Sequence, residues 1–425
     1  MKKKISIIIR TKNEEDWIYP CLKSIFKQRY NNFEIIIVDN YSSDQTVNIA
    51  KKLGVKKIIK IKKYLPGKAL NLGIKNSSGD YIVCLSAHCI VKSNDWLDKL
   101  ISSFDNDSKI VGVYGRQLPL PFTSPDDSRD MIMLFGKESR VQKKDYLFHN
   151  ANSIIKKSIW KKNKFSNKLS NIEDRAWAKN LISKGYKIFY NSEAEVFHFH
   201  GLHQKETASF RAESVNEVLN KIEKNYKINF PDELNIKLNE LAIIFLTNNK
   251  TLKINKIKKI LKLNNIKKCY LYSKKFKHKI KNCENLDRDS NQDHNAPLSV
   301  VMKNSLKSYE KKTKNIPRAV IFFTLDYKNY FKNYLKVSIK EFCYNNYSIM
   351  FPAFEDKANY WIENNGRAEM IKTRLKEPVD VHKPIYRACY GLGTIIRPSR
   401  LRQNKIFDCK IGITKFKNNI YSIRD

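Results

Sequence analysis

Short runs of β-branched residues alternate with stretches of helical spacing through the first half of the chain. Residues 5–9, 34–38, 57–61 and 81–85 are strand-length apolar runs rich in isoleucine and valine, side chains that pack well on a pleated surface. Between them, residues 14–27, 44–53 and 68–75 carry apolar positions at helical spacing. Alternation of this kind predicts βαβ units, a mainly parallel sheet and the α/β class. Ligands of such sheets bind beyond the carboxyl ends of the strands, so the segments that follow residues 9, 38 and 85 are where chemistry is expected.

The pattern changes after the first two hundred residues. Residues 206–224 read as a helix and 225–231 as a connection. Residues 250–281 then hold 13 lysines and no acidic residue, and no glycine occurs between Gly201 and Gly366. Further β-rich runs at 319–325 and 348–354 predict a second, smaller α/β domain. A chain of 425 residues is too long for one core, and the expected partition is 1–230, a lysine-rich 231–283 that is either a connection or the start of the second domain, and 284–425.

The formal charge of +39 raises the question of nucleic acid, but only 16 of the 81 basic residues are arginine. Base readout favours arginine forks, and no interleaving of aromatic and basic residues of the single-strand-binding kind is seen, so nucleic acid is not the expected partner. A solvated basic surface accounts for the charge, with attraction to anionic lipid or a lipid-phosphate acceptor as the other reading. The eight cysteines include no Cys-x-x-Cys pair, which argues against a zinc knuckle and a disulfide framework. No apolar run approaches membrane-spanning length, and the run after Met1 is cut by Arg10, Lys12 and Glu14. The expected location is the cytoplasm, including its boundary with the inner face of the membrane.

Four polar segments follow or lie beyond the expected strands: Arg10-Thr11-Lys12-Asn13-Glu14-Glu15, Asp39-Asn40-Tyr41-Ser42-Ser43-Asp44, Ser86-Ala87-His88-Cys89, and Asn171-Ile172-Glu173-Asp174. Ser6-Ile7-Ile8-Ile9-Arg10-Thr11-Lys12-Asn13-Glu14 with Ile37-Val38-Asp39-Asn40-Tyr41-Ser42-Ser43-Asp44-Gln45-Thr46 resembles the signature of family 2 glycosyltransferases, which have the GT-A fold. Several motifs in the right order over more than 200 residues carry this resemblance.

The resemblance implies that Thr11, Glu14 and Asp39 line a nucleotide pocket, with Asp39 accepting a hydrogen bond from the base. The sequence Asp-Asn-x-Ser is also good turn chemistry, so Asp39 has a structural reading as well. Lys68, after Pro66-Gly67, and Asn71 resemble the segment that continues the donor pocket, while Lys68 also suits a solvated helix face. The family usually places Asp-x-Asp, which holds a divalent metal against the donor diphosphate, where this chain has Ser86-Ala87-His88. Ser86 is kept as a donor contact. His88 reads as a ligand for Mn²⁺ or Mg²⁺, as a cation facing the diphosphate, or as a buried structural histidine.

Glu173-Asp174 resembles the family's acidic pair, in which the second carboxylate is the general base of inverting transfer; capping of a helix by the pair is the competing account. His198 and His200 lie two apart, on one side of an extended segment, and are expected to complete a metal site with His88; chance clustering is the alternative. Phe148-His149-Asn150-Ala151-Asn152-Ser153 resembles the acceptor-side segment of the same family.

Residues 284–425 resemble the later part of acylneuraminate cytidylyltransferases, on Leu286-Asp287-Arg288-Asp289, residues 319–326, Phe351-Pro352-Ala353-Phe354-Glu355-Asp356 and Pro384-Ile385-Tyr386-Arg387-Ala388. Those enzymes open with a glycine-containing phosphate loop, which a segment free of glycine cannot supply. The expected function is inverting transfer of a sugar from a nucleotide-sugar donor to a hydroxyl of a glycan or lipid-linked glycan in surface polysaccharide or lipopolysaccharide assembly. The rival expectations are a bifunctional glycosyltransferase and CMP-sugar synthetase, and a non-catalytic binding protein that has lost its metal site.

Overall fold

The computed structural model describes residues 3–142, 146–169, 172–199, 230–247, 254–273, 280–288, 296–327, 330, 332, 334–356, 360–364, 367–372, 385–403, 406–407 and 409–416. The chain forms two compact units, Met1–Asn235 and Ile236–Asp425. The expected helix at 206–224, His200 and Asn171 lie outside the described residues.

The first unit opens with β1 (Ile5–Thr11), α1 (Ile18–Phe26), β2 (Phe33–Asp39), α2 (Thr46–Lys52), β3 (Lys57–Lys60), α3 (Pro66–Lys75) and β4 (Tyr81–Ser86). There follow β5 (Cys89–Val91), α4 (Trp96–Ser102), β6 (Ile110–Leu118), α5 (Pro125–Leu134), β7 (Arg140–Gln142), β8 (Asn152–Lys156), α6 (Lys157–Lys162), α7 (Glu173–Ile182) and β9 (Lys187–His198). The sheet runs β3-β2-β1-β4-β8-β6-β9-β5, with β7 paired to β9. β1 is parallel to both β2 and β4, and β2 to β3, as the alternation of runs and helices requires. β8 enters antiparallel to β4 and β6 and so brings its amino end to the carboxyl end of β4.

Helix α1 begins four residues later than the periodicity predicts. Asn13 is left-handed, with φ 55°, and the next two amides donate to side chains of another segment: Glu14 to Thr46 Oγ1 at 2.7 Å and Glu15 to Asp44 Oδ2 at 3.0 Å. Residues 13–17 therefore form a turn that carries Glu14 inward. Alternation along the strands puts Ile8, Val38 and Cys84 on one face, where Leu70 and Ile74 of α3 and Trp177 and Leu181 of α7 cover them. Each such side chain contributes about 1.5–3 kcal/mol by leaving water, which fixes α3 and α7 beside the carboxyl ends of β1 and β4.

In the second unit the sheet runs β12-β11-β10-β13-β18-β14-β17, where β10 is Leu241–Leu246, β11 Cys269–Ser273, β12 Cys283–Asp287, β13 Ala319–Thr324, β14 Ile349–Asp356, β17 Ile385–Ala388 and β18 Leu392–Ile396. β19 (Ile411–Phe416) pairs with β14, and β15 (Tyr360–Asn364) pairs with β16 (Arg367–Lys372) in a separate ribbon. The first four strands of that order are mutually parallel. Residues 231–283 thus give this unit its β10 and β11, with a helix over Ile254–Leu263 between them. The lysines of that helix sit opposite a buried pair, Ile257 and Ile260, which explains why a lysine-rich stretch is folded. All eight cysteines are free thiols. Among the described residues no helix is long and apolar enough to cross a membrane.

Candidate active site

The parallel register brings the ends of three strands together. Thr11 pairs with Asp39, and Arg10 pairs with Val38 on one side and Ser86 on the other. The amide of Ser86 donates to the carbonyl of Ala151 at 3.2 Å, so the segment before β8 closes the far side. Helix α7 delivers Glu173 and Asp174 in its first turn.

Asp39 is fully buried and already engaged. Its Oδ1 accepts from Thr11 Oγ1 at 3.0 Å and Ser42 Oγ at 2.6 Å, and its Oδ2 from the amide of Ser42 at 3.0 Å. The carboxylate closes the turn that follows β2, in which Tyr41 is left-handed at φ 49°. The turn reading of Asp-Asn-x-Ser is therefore realised, and Thr11 serves Asp39 rather than facing open space.

Lys68 is exposed in the first turn of α3. Asn71, expected as a donor contact, is engaged within the protein. Its amide nitrogen donates to the carbonyl of Phe165 at 2.8 Å and to Asn167 Oδ1 at 3.0 Å, and its oxygen accepts from Trp160 Nε1 at 2.8 Å and the amide of Phe165 at 3.2 Å. Two donors and two acceptor positions are the whole capacity of the side chain, so Asn71 is a clamp between α3 and the 160–167 segment. Gly67 serves the same contact, since a Cβ there would lie 2.1 Å from the carbonyl oxygen of Ser166.

His88 and His198 do not converge on one point, and His200, the third residue of the expected metal set, lies outside the described residues. His88 Nδ1 lies 3.0 Å from Glu14 Oε1, and His198 Nδ1 lies 2.5 Å from Gln117 Oε1. The two imidazoles stack with centroids 5.1 Å apart and planes 8° from parallel. A nitrogen lone pair lies in its ring plane, so two nearly parallel rings direct theirs along separate planes and do not meet at one ion. Among the described residues no group of three His, Cys, Asp or Glu is arranged to hold a metal. The stack continues to His149, edge-on to His198 at 6.3 Å. At its ends Glu14 Oε2 and Gln117 Nε2 are buried without a hydrogen-bond partner among the described residues.

The acidic pair is withdrawn from water and perturbed by that burial. Asp174, 9% exposed, accepts from the amide of Asn150 at 3.1 Å and of Arg175 at 2.8 Å. Burial raises its pKa, opposed by those two amides and by Arg10. Burial likewise raises the pKa of Glu173, opposed chiefly by Arg10, whose Nη1 is 3.5 Å from Glu173 Oε1. Both carboxylates consequently take up protons at higher pH than free ones.

Sequence reasoning overlooked Arg10, Gln117 and the position of His149. Arg10 had a visible signal, a charge on the last-but-one residue of an apolar strand. Gln117 had none, because β6 joins His198 only through strand pairing.

A model described as glycosyl transferase family 2 matches residues 6–163. The chain is 37% identical over 26% of its length to a dolichyl N-acetyl-alpha-D-glucosaminyl phosphate 3-beta-D-2,3-diacetamido-2,3-dideoxy-beta-D-glucuronosyltransferase of Methanococcus voltae, spanning 38% of that protein. It is 27% identical over 48% of its length to an O-antigen chain rhamnosyltransferase of Salmonella typhimurium, spanning 68% of it. A poly(ribitol-phosphate) beta-N-acetylglucosaminyltransferase of Staphylococcus aureus is 31% identical over 27% of this chain and 22% of its own. Among solved structures, a mannosyltransferase of Pyrobaculum calidifontis in complex with GDP-Man and Mn²⁺ matches with a TM-score of 0.39 and 16% identity, over 55% of this chain and 67% of that one.

Proposed function

We propose that the first unit is an inverting glycosyltransferase of the GT-A type that moves a sugar from a nucleotide-sugar donor to a hydroxyl of a glycan or lipid-linked glycan in surface polysaccharide or lipopolysaccharide assembly. The match of the family 2 model to residues 6–163 supports the class, and the curated relatives act on surface and lipid-linked glycans by their names. The observation that carries the mechanism is Asp174: a buried carboxylate of raised pKa in the first turn of α7, next to the carboxyl ends of β1 and β4.

In this mechanism Asp174 takes the proton of the acceptor hydroxyl as its oxygen attacks the anomeric carbon, from the face opposite the departing nucleoside diphosphate. Glu173, paired with Arg10, contacts the acceptor or the shell around it. Ser86, Glu14 and the Asp39 turn border the donor, with Thr11 fixing Asp39 and Lys68 at the rim. A divalent cation would neutralise the leaving diphosphate, but His88 and His198 are not arranged to share one, so no step is assigned to it. In place of a chelated cation we assign the contact with the diphosphate to His88, held at Nδ1 by the buried Glu14 carboxylate.

For the second unit we propose a scaffold related to the cytidylyltransferases that no longer transfers nucleotides, because the segment after its central strand, Thr247-Asn248-Asn249-Lys250, has no glycine. Incubating the full chain with a panel of nucleotide sugars and glycan or lipid-linked acceptors, and reading nucleoside diphosphate release, tests the assignment. Release that depends on acceptor and vanishes in Asp174→Asn supports it; a protein inert to the panel overturns it.

A further inference from the structure

Arg10 occupies a position that the strand pattern gives to an apolar side chain. It shares a face of β1 with Ile8, whose neighbours are Val38, Cys84 and the inner residues of α3 and α7. The guanidinium therefore leaves the edge of this core directly at the first turn of α7. There it meets Glu173 at 3.5 Å, with side chains 16% and 4% exposed. The groups that face it are Tyr64 before α3, Cys84 on β4, and Glu173 and Asp174 on α7. Two adjacent carboxylates and one guanidinium thus share a site largely withdrawn from water. Adjacent anions in such a place disfavour one another's ionisation unless a cation compensates them.

We infer that Arg10 is the positioning residue of the acidic pair: it holds Glu173 as its ion-pair partner, and so leaves Asp174 as the carboxylate that accepts the proton. This rests on the reading of Asp174 as the base. Arginine suits the task because its charge persists at any working pH and its planar fork holds a fixed direction toward a carboxylate. A hydrophobic residue in its place would leave two uncompensated anions, each disfavouring the other's ionisation.

The test uses the full chain with the nucleotide sugar that releases nucleoside diphosphate in the panel. Arg10→Met should move the acid limb of the kcat/KM profile upward by about one pH unit, a roughly tenfold loss at a pH on that limb, with rates approaching wild type on the alkaline side. Arg10→Lys should fall between the two. A second measurement needs no turnover: thermal melting of Arg10→Met, Glu173→Gln and the double variant. The double variant should recover much of the stability lost by Arg10→Met, and the loss should shrink as pH falls and Glu173 becomes neutral. Additive melting losses that do not change with pH overturn the proposal, even where Asp174→Asn is inactive and the base stands. Activity in Asp174→Asn removes the base reading instead, while the melting cycle still decides whether Arg10 and Glu173 act as a pair. Should Arg10→Met fail to fold, an acid limb in Arg10→Lys identical to wild type overturns the proposal.

Discussion

His88 and His198 lie face to face, their imidazole centroids 5.1 Å apart and their planes only 8° from parallel, each tied at Nδ1 to a different partner. Two rings so arranged stack, and they do not grip a common ion. If His88 rather than a chelated cation meets the diphosphate, as proposed, activity survives EDTA to within about threefold. His88→Ala should lower kcat by about 10²-fold, the usual cost of removing one such donor. Loss of activity in EDTA with recovery on adding Mn²⁺ or Mg²⁺ would return the metal to the mechanism, and full activity in His88→Ala would leave His88 a packing residue.

Asp174→Asn keeps the shape of the side chain and removes its ability to take a proton. Turnover should fall by about 10²- to 10⁴-fold while donor affinity, read by titration calorimetry, stays nearly unchanged. A variant with more than a tenth of wild-type turnover would place the base elsewhere.

The pH dependence follows from the sign of the shift. Burial raises the pKa of Asp174, so the proton-accepting form is lost as pH falls through a value above the ordinary 3.8. For stability the same shift works the other way: the buried anion is a cost that is fully present above the raised pKa and is relieved as pH falls through it. An acid limb of kcat/KM above the range of free aspartate, without a parallel loss of folded protein, is the expected result. A limb at the ordinary value would show that Asp174 is not the group being titrated.

Asn71 and Gly67 separate a structural role from a donor-binding one. Asn71→Ala leaves Trp160 Nε1 and the amide of Phe165 without their acceptor and should cost about 1–3 kcal/mol of stability in denaturant melts. Gly67→Ala forces apart α3 and the carbonyl of Ser166 and should destabilise the same contact. The KM for donor in Asn71→Ala should remain within about twofold of wild type, as uniform binding is untouched. A large rise in that KM with unchanged stability would restore Asn71 to the donor pocket.

The full chain given CTP and a nonulosonic acid should form no CMP-sugar. Measurable product, read as pyrophosphate release, would overturn the reading of the second unit as a scaffold without transferase chemistry.

The sequence by itself determined the α/β alternation, because strand-length runs of isoleucine and valine and helical spacing are local properties that each segment carries alone. It also located the strand end where Ser86 and His88 stand and, farther on, the segment that carries Glu173 and Asp174. What it left open were partnerships set by register and packing. Pairing of β1 with β4 put Arg10 beside Ser86, and docking of α7 then brought Glu173 to it, contacts across more than 160 positions that no local pattern encodes. Tertiary structure alone decided that Asp39 spends its carboxylate on Thr11 and Ser42, that Asn71 is exhausted by Trp160, Phe165 and Asn167, and that His88 and His198 stack instead of converging. The reason is one of direction: a motif fixes which polar groups are present, whereas the direction in which a carboxylate, an amide or an imidazole lone pair points depends on neighbours supplied by distant strands and helices.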